Sequence, residues 1–285
     1  MGFYEKLMSL DRRWVYLCVA IAVVLPFLLE EFGVPIFIPP YITPEVKSVY
    51  NFVEKLREDD VLFLAIDYDP MAKAELHPVA RAVLKQCFKK NVKVIISALS
   101  QNGPGMAEQL ISQTAKEYNK VDGVDYVYLG YKPFPALVIM GMSQNFKLFF
   151  PKDYYGTPLD SLPMMAKVRN IKDTKGVIDV AAGSVADMWI NEGAGRYNYP
   201  LALAVTGVMA ADYYPFLNSG QLFGLVSGMK GAAEYEYLME KGGYMKKEEF
   251  DASRGMPIQM FAHIVVILFI IIGNVGYFMS RRKKS

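Results

Sequence analysis

The chain has 285 residues, 31 of them basic and 29 acidic, which gives a net charge of +2 and room for one sizeable domain or two small ones. A composition that is 53% apolar and 21% charged excludes a disordered chain. Near-neutrality gives no electrostatic footprint for nucleic acid, and two cysteines with two histidines exclude a disulfide framework and leave little for a Cys- or His-based metal centre.

In chain order, the first signal is Trp14 to Leu29, WVYLCVAIAVVLPFLL, uncharged between Asp11-Arg12-Arg13 and Glu30-Glu31. As a helix it reaches about 24 Å against a hydrocarbon core of ~30 Å, with Trp14 and Tyr16 suited to an interface. No small-x-small cleavage site follows it, so an uncleaved anchor is expected rather than a signal peptide. Residues 32–41 form a proline-rich, extended bridge. Thr43-Pro44-Glu45 then starts a helix, with Val46, Val49, Tyr50, Val53 and Leu56 as its apolar stripe.

The middle of the chain alternates apolar runs of strand length with amphipathic helices. Strands are predicted at residues 61–66, at VKVIISAL, at 125–129, at 177–182 and at 201–207. Helices are predicted over 72–90, 103–118 and 184–193. Residues 132–170 read as short helices and a tyrosine-containing loop. A last helix is expected from Ser219 to Lys241, placing Gly220, Gly224 and Gly228 on one face as a packing or oligomer surface. Ile258 to Met279 is again free of full charges and stops at Arg281-Arg282-Lys283-Lys284, the pattern of a second span.

Together these elements predict an α/β fold: a doubly wound, mostly parallel sheet of Rossmann or flavodoxin type, flanked by N- and C-terminal transmembrane helices. The expected organisation is a cytoplasmic N-terminus (1–13), a first span (14–31), an extracytoplasmic domain (32–257), a second span (258–280) and a basic cytoplasmic tail (281–285). Basic residues at both outer flanks, against Glu30 and Glu31 within, set that orientation.

In such sheets ligands bind outside the carboxyl ends of the strands. That rule selects Asp67, Asp69, Ser100, Gly183, Ser184 and Thr206 as candidate ligand-binding residues. Two carboxylates one residue apart at a strand end can hold a hard cation such as Mg²⁺. The apolar strand followed by Asp67-x-Asp69 resembles the first motif of the haloacid-dehalogenase-like phosphatases. Ser97 or Ser100 is similar to their second motif and Lys132 to their lysine. The resemblance implies a Mg²⁺-dependent phosphohydrolase with Asp67 as nucleophile and Asp69 as general acid–base. It departs at Pro70, where the family carries a small residue, and at the fourth strand, where Asp179 sits inside the strand and no acidic pair follows; the chain is not assigned to the family. The capping of a turn by Asp67 and Asp69 is the structural alternative.

The expectation for function is therefore a double-pass protein of the cell membrane, in contact with lipid. It has no cofactor and acts as a non-enzymatic, self-associating scaffold or partner-binding module. The tethered phosphohydrolase is the alternative.

Overall fold

A computed structural model of the protein describes residues 11–32, 34 and 39–282. Residues 1–10, half of the proline-rich bridge (33 and 35–38) and residues 283–285 of the basic tail lie outside the described residues. The chain divides into two compact units. One, Pro40–Ser253, holds the sheet; the other comprises the segments before and after it.

The terminal unit contains α1 (Arg12–Glu31) and most of the last helix, Ala252–Arg282. Both are long and apolar enough to cross a membrane, over Arg12–Leu29 and Ala252–Met279. Their apolar side chains are largely exposed, among them Trp14, Phe27, Ile270 and Phe278. A soluble core helix would bury such a surface.

In the central unit, α2 (Pro44–Lys55) begins behind Thr43 with proline at its first position, and it buries Val46, Val49, Tyr50 and Val53. Then follow β1 (Val61–Asp67), α3 (Lys73–Lys89), β2 (Lys93–Ser97), α4 (Pro104–Glu117), β3 (Tyr126–Tyr128) and α5 (Pro135–Gln144). Short 3₁₀ turns lead to β4 (Val177–Ala181). Next come α6 (Val185–Met188), a π-helical segment Trp189–Ala194, α7 (Gly195–Tyr197), β5 (Leu201–Val205), α8 (Ala210–Asn218), β6 (Gly224–Ser227) and α9 (Gly228–Lys241), before α10 (Ala252–Arg282).

Among the described residues these strands make one all-parallel sheet in the order β3-β2-β1-β4-β5-β6. β1, β4 and β5 are buried along their whole length, which explains why they read as continuous apolar runs rather than alternating ones. One face carries Phe63, Ala65, Val177, Leu203 and Val205, packed with α5, the π-helical segment and α8 around Trp189 and Phe146. Phe63 stacks on Phe146 at 5.9 Å and meets Trp189 at 5.5 Å. Helices α2, α3 and α9 pack against one another; Tyr235 donates to Gln86 at 2.6 Å and meets Tyr50 edge-on at 5.8 Å.

The helix expected over Ser219–Lys241 is corrected by the structure: Gly224–Ser227 is a strand, and helix begins only at Gly228. Gly220, Gly224 and Gly228 therefore share no helical face. Gly220 turns the chain at φ +79°, and Gly228 breaks strand from helix at φ +55°. Gly224 lets α2 close on the sheet edge, since a Cβ there would lie 2.4 Å from Val49 Cγ2. The four-residue glycine spacing imitates a helical stripe, but the intervening Leu225 and Val226 are buried as a strand of the sheet.

Candidate functional site at the carboxyl ends of the strands

The order reverses between β1 and β4, where α/β sheets open a crevice for ligands. β1 ends there in Asp67, whose side chain turns inward and is fully buried. Its Oδ1 accepts the Leu99 backbone N–H at 2.6 Å, and its Oδ2 accepts the Trp189 indole N–H at 2.8 Å. Asp179, on β4, is equally buried and meets no N–H or O–H donor. Register places it beside Ala65, which is flanked on its other side by Ser97, so Ser97, Ala65 and Asp179 form one lateral row below Asp67.

The Asp67 charge opposes ionisation of Asp179. Two buried carboxyl groups with no cation beside them do not both ionise readily. Asp67 already receives two donors and Asp179 none, so Asp67 is the member that ionises first and Asp179 the one that keeps its proton. Burial pushes the Asp67 carboxyl up to about 6 despite the hydrogen bonds from Leu99 and Trp189. Burial, then the Asp67 charge, hold Asp179 well above the usual carboxylate range. Ser97 Oγ, in the same row, is buried without a partner.

The lid over this pair is Trp189, first residue of the π-helical segment. A π-turn carries one extra residue per ring and recurs at functional positions. It is permitted by Gly193, where a Cβ would lie 2.3 Å from the Tyr199 hydroxyl. Sequence reasoning found the helix after Ser184 but not its π winding; the signal present was the Gly193-Ala194-Gly195 triplet inside a helical pattern.

The remaining candidates are dispersed along the rim. Asp69 is the N-cap of the turn at Pro70–Ala72 and accepts from the Met71 and Ala72 N–H groups, so its carboxylate does not converge with Asp67. Ser100 is half-buried in the loop that carries Gly103 against the end of β1, where a Cβ would lie 2.8 Å from Tyr68 O. Gly183, at φ +90°, donates to Met209 Sδ at 3.3 Å, and Ser184 is exposed. Thr206 is half-buried, and the Gly207 N–H that follows donates to Glu75 at 2.8 Å, tying the start of α3 to the end of β5. Lys132 lies over the Phe150 ring at 5.9 Å. His77, driven down to about 4 by burial and by the charges of Lys73 and Arg81, is neutral and is hydrogen-bonded through Nδ1 to the Tyr68 hydroxyl at 2.9 Å.

Three large apolar side chains face outward along this edge, among exposed polar ones such as Gln101, Asn102 and Ser184. Met71 after β1 is 93% exposed, Val208 after β5 is 90% exposed, and Phe134 after β3 is 72% exposed. Phe134 also sits at φ +64°, the left-handed region that favours glycine. Among the described residues no group of three or more His, Cys, Asp or Glu side chains is placed to hold a metal. No protein family, curated protein or solved structure matches the chain.

Proposed function

We propose that the chain is a double-pass membrane protein, both termini cytoplasmic, whose extracytoplasmic domain is a non-enzymatic contact module that self-associates through the carboxyl-end rim. The all-parallel order β3-β2-β1-β4-β5-β6, reversing between β1 and β4, supports reading the sheet as doubly wound, a fold in which the carboxyl-end edge is the customary place for a bound group. The observation that carries the reading is the exposure of large apolar side chains along this edge. The titratable pair is sealed under Trp189, while Met71, Phe134 and Val208 stand in solvent. Apolar side chains exposed along one edge suit an interaction surface. Orientation follows from Arg12, Arg13 and the terminal basic run against Glu30 and Glu31. Anchors at both ends confine the domain to the membrane surface, which raises the local concentration of a second copy.

The test is the mass of the protein in lipid nanodiscs by light scattering. The wild type is expected as a dimer or larger, and Met71→Glu/Val208→Glu as a folded monomer; a monomeric wild type overturns the proposal. The phosphohydrolase reading requires Trp189 to move aside so that Asp67 reaches substrate. Mg²⁺-dependent phosphatase activity lost in Asp67→Asn would replace the contact module with that enzyme.

A further inference from the structure

β3 is an edge strand, and two acidic segments lie along its outer side. The Gly123 N–H donates to Tyr126 O and the Tyr154 N–H to Tyr128 O, each at 2.8 Å, so Asp122 and Asp153 arrive side by side at that edge. Asp153 belongs to a small hairpin, residues 151–159, closed by its own N–H on Thr157 O at 2.9 Å. Its Oδ1 accepts the Thr157 N–H at 2.7 Å, while its Oδ2 is buried and meets no donor. The residue is only 6% exposed. Asp122 is half-buried, and its Oδ1 is likewise shielded without a partner.

Burial, then the Asp153 charge, raise the Asp122 carboxyl above its ordinary range; the Gly123 N–H opposes them, and no cation is among the groups that act on it. Burial first, then Tyr126, Glu108 and Asp122, push up the Tyr155 hydroxyl at the hairpin tip, which sets Asp122 beside the hairpin a second time. That hydroxyl donates to Glu108 at 3.4 Å. Shielded carboxylate oxygens without donors are rare in folded proteins, and a bound ion is one of the few arrangements that explains them.

We propose that Asp122 and Asp153 bind a calcium ion that fastens the 151–159 hairpin to the edge of β3, with Asp122 Oδ1 and Asp153 Oδ2 as its charged ligands and main-chain carbonyls and water completing the shell. A divalent cation neutralises both carboxylates, where a proton would neutralise one. Ca²⁺ accepts about six to eight oxygens in irregular geometry, whereas Mg²⁺ demands a near-ideal octahedron and keeps its water. Two carboxylates make a weak site, with a dissociation constant of about 10⁻⁴–10⁻³ M, the range of extracellular modules. That match of affinity to compartment rests on the extracytoplasmic placement proposed above; the binding itself does not.

The probe is Ca²⁺, added to the chelator-treated full-length protein in a neutral detergent while the melting temperature is read, with Mg²⁺ and Na⁺ at matched ionic strength as controls. At about 10 mM Ca²⁺ a rise of about 3–10 °C is expected, with less in Mg²⁺ and none in Na⁺. Tb³⁺ reports the place: bound there, it is excited through Tyr155 and Tyr126, and its luminescence falls as Ca²⁺ displaces it. Asp122→Asn removes a ligand together with the repulsion. It should therefore be at least as stable as the wild type in chelator, yet need roughly tenfold more Ca²⁺ for the same rise. Asp153→Asn keeps an oxygen for the Thr157 N–H and should lose the Ca²⁺ response in the same way. No rise in the wild type, an equal rise in Mg²⁺ or Na⁺, or an unchanged Ca²⁺ response in the two asparagine variants would each overturn the proposal.

Discussion

Two pairs of buried acids lie in this domain, and they are solved in opposite ways. On α9, Glu234 accepts the Thr43 N–H and hydroxyl, each at 2.7 Å, and is ion-paired with Lys230. Two residues on, Glu236 accepts the N–H groups of Asp251, Ala252 and Ser253 at 2.8, 3.0 and 2.8 Å and the Ser253 hydroxyl at 2.8 Å. These carboxylates are saturated with donors, and they fix the first and last segments of the domain to one helix. In the sheet, Asp67 has two donors, Asp179 none, and no cation is among the groups that perturb either. A saturated buried carboxylate is a structural pin, whereas a pair short of donors stays together only by keeping a proton. The comparison teaches that burial alone does not mark a reactive acid; the donor inventory does.

The largest effect that would break this contrast comes from the saturated pair. Glu236→Ala leaves three N–H groups and a hydroxyl without their acceptor, at a cost of about 3–5 kcal/mol in unfolding free energy. Chemical denaturation of the detergent-solubilised chain measures it, and a loss below about 1 kcal/mol would remove the pin.

The donor-poor pair carries a pH signature instead. An ordinary Asp carboxyl titrates near 3.8, and both Asp67 and Asp179 hold their proton more tightly in the folded domain. Their contribution to stability is therefore fully present below about pH 4. It is lost as pH rises, through about 6 for Asp67 and over a further range for Asp179. Glu54 and Glu249, lowered by hydrogen bonds and by Lys90 and Lys85 against the opposing effect of burial, act in the reverse sense and lose stability as pH falls. Asp179→Asn replaces a carboxyl held in its protonated form with an amide that cannot ionise. It should match the wild type at pH 4 and gain on it above that, by up to about 1.4 kcal/mol per pH unit. Melting temperature against pH reads the difference, and parallel curves would contradict a proton held on Asp179.

Smaller effects sharpen the picture of the surrounding frame. Gly224→Ala forces α2 away from the sheet edge and should cost about 1–3 kcal/mol, again by denaturation. An unaffected protein would show that α2 closes less tightly there. At the rim, Phe134→Gly removes a side chain from a left-handed backbone, so stability should stay level or rise by about 1 kcal/mol while self-association weakens. A clear loss of stability would assign Phe134 to packing.

What the sequence made legible follows from distance along the chain. β1, β2, β4 and β5 were visible because a strand buried on both faces needs an uninterrupted apolar run, and both terminal helices because a helix long and apolar enough to cross a membrane shows as an extended uncharged run. β6 was hidden because glycines required for a turn, a close approach and a strand-to-helix break happen to recur every four residues. Asp67 was identified as a strand-end acid. Its inward turn was not legible, since it depends on a backbone N–H 32 residues away and an indole 122 residues away. Glu234 and Glu236 carry no local signal, because the groups they receive come from the two ends of the domain.

The claim that the carboxyl-end rim is a contact surface is tested most directly by cross-linking in native membranes. Val208→Cys, in a Cys18→Ser background, is treated with a short bismaleimide, with Val121→Cys, 56% exposed elsewhere on the domain, as the control. Covalent dimer at residue 208 and none at residue 121 is the expected result. Equal cross-linking at both positions, or none at residue 208, would contradict it.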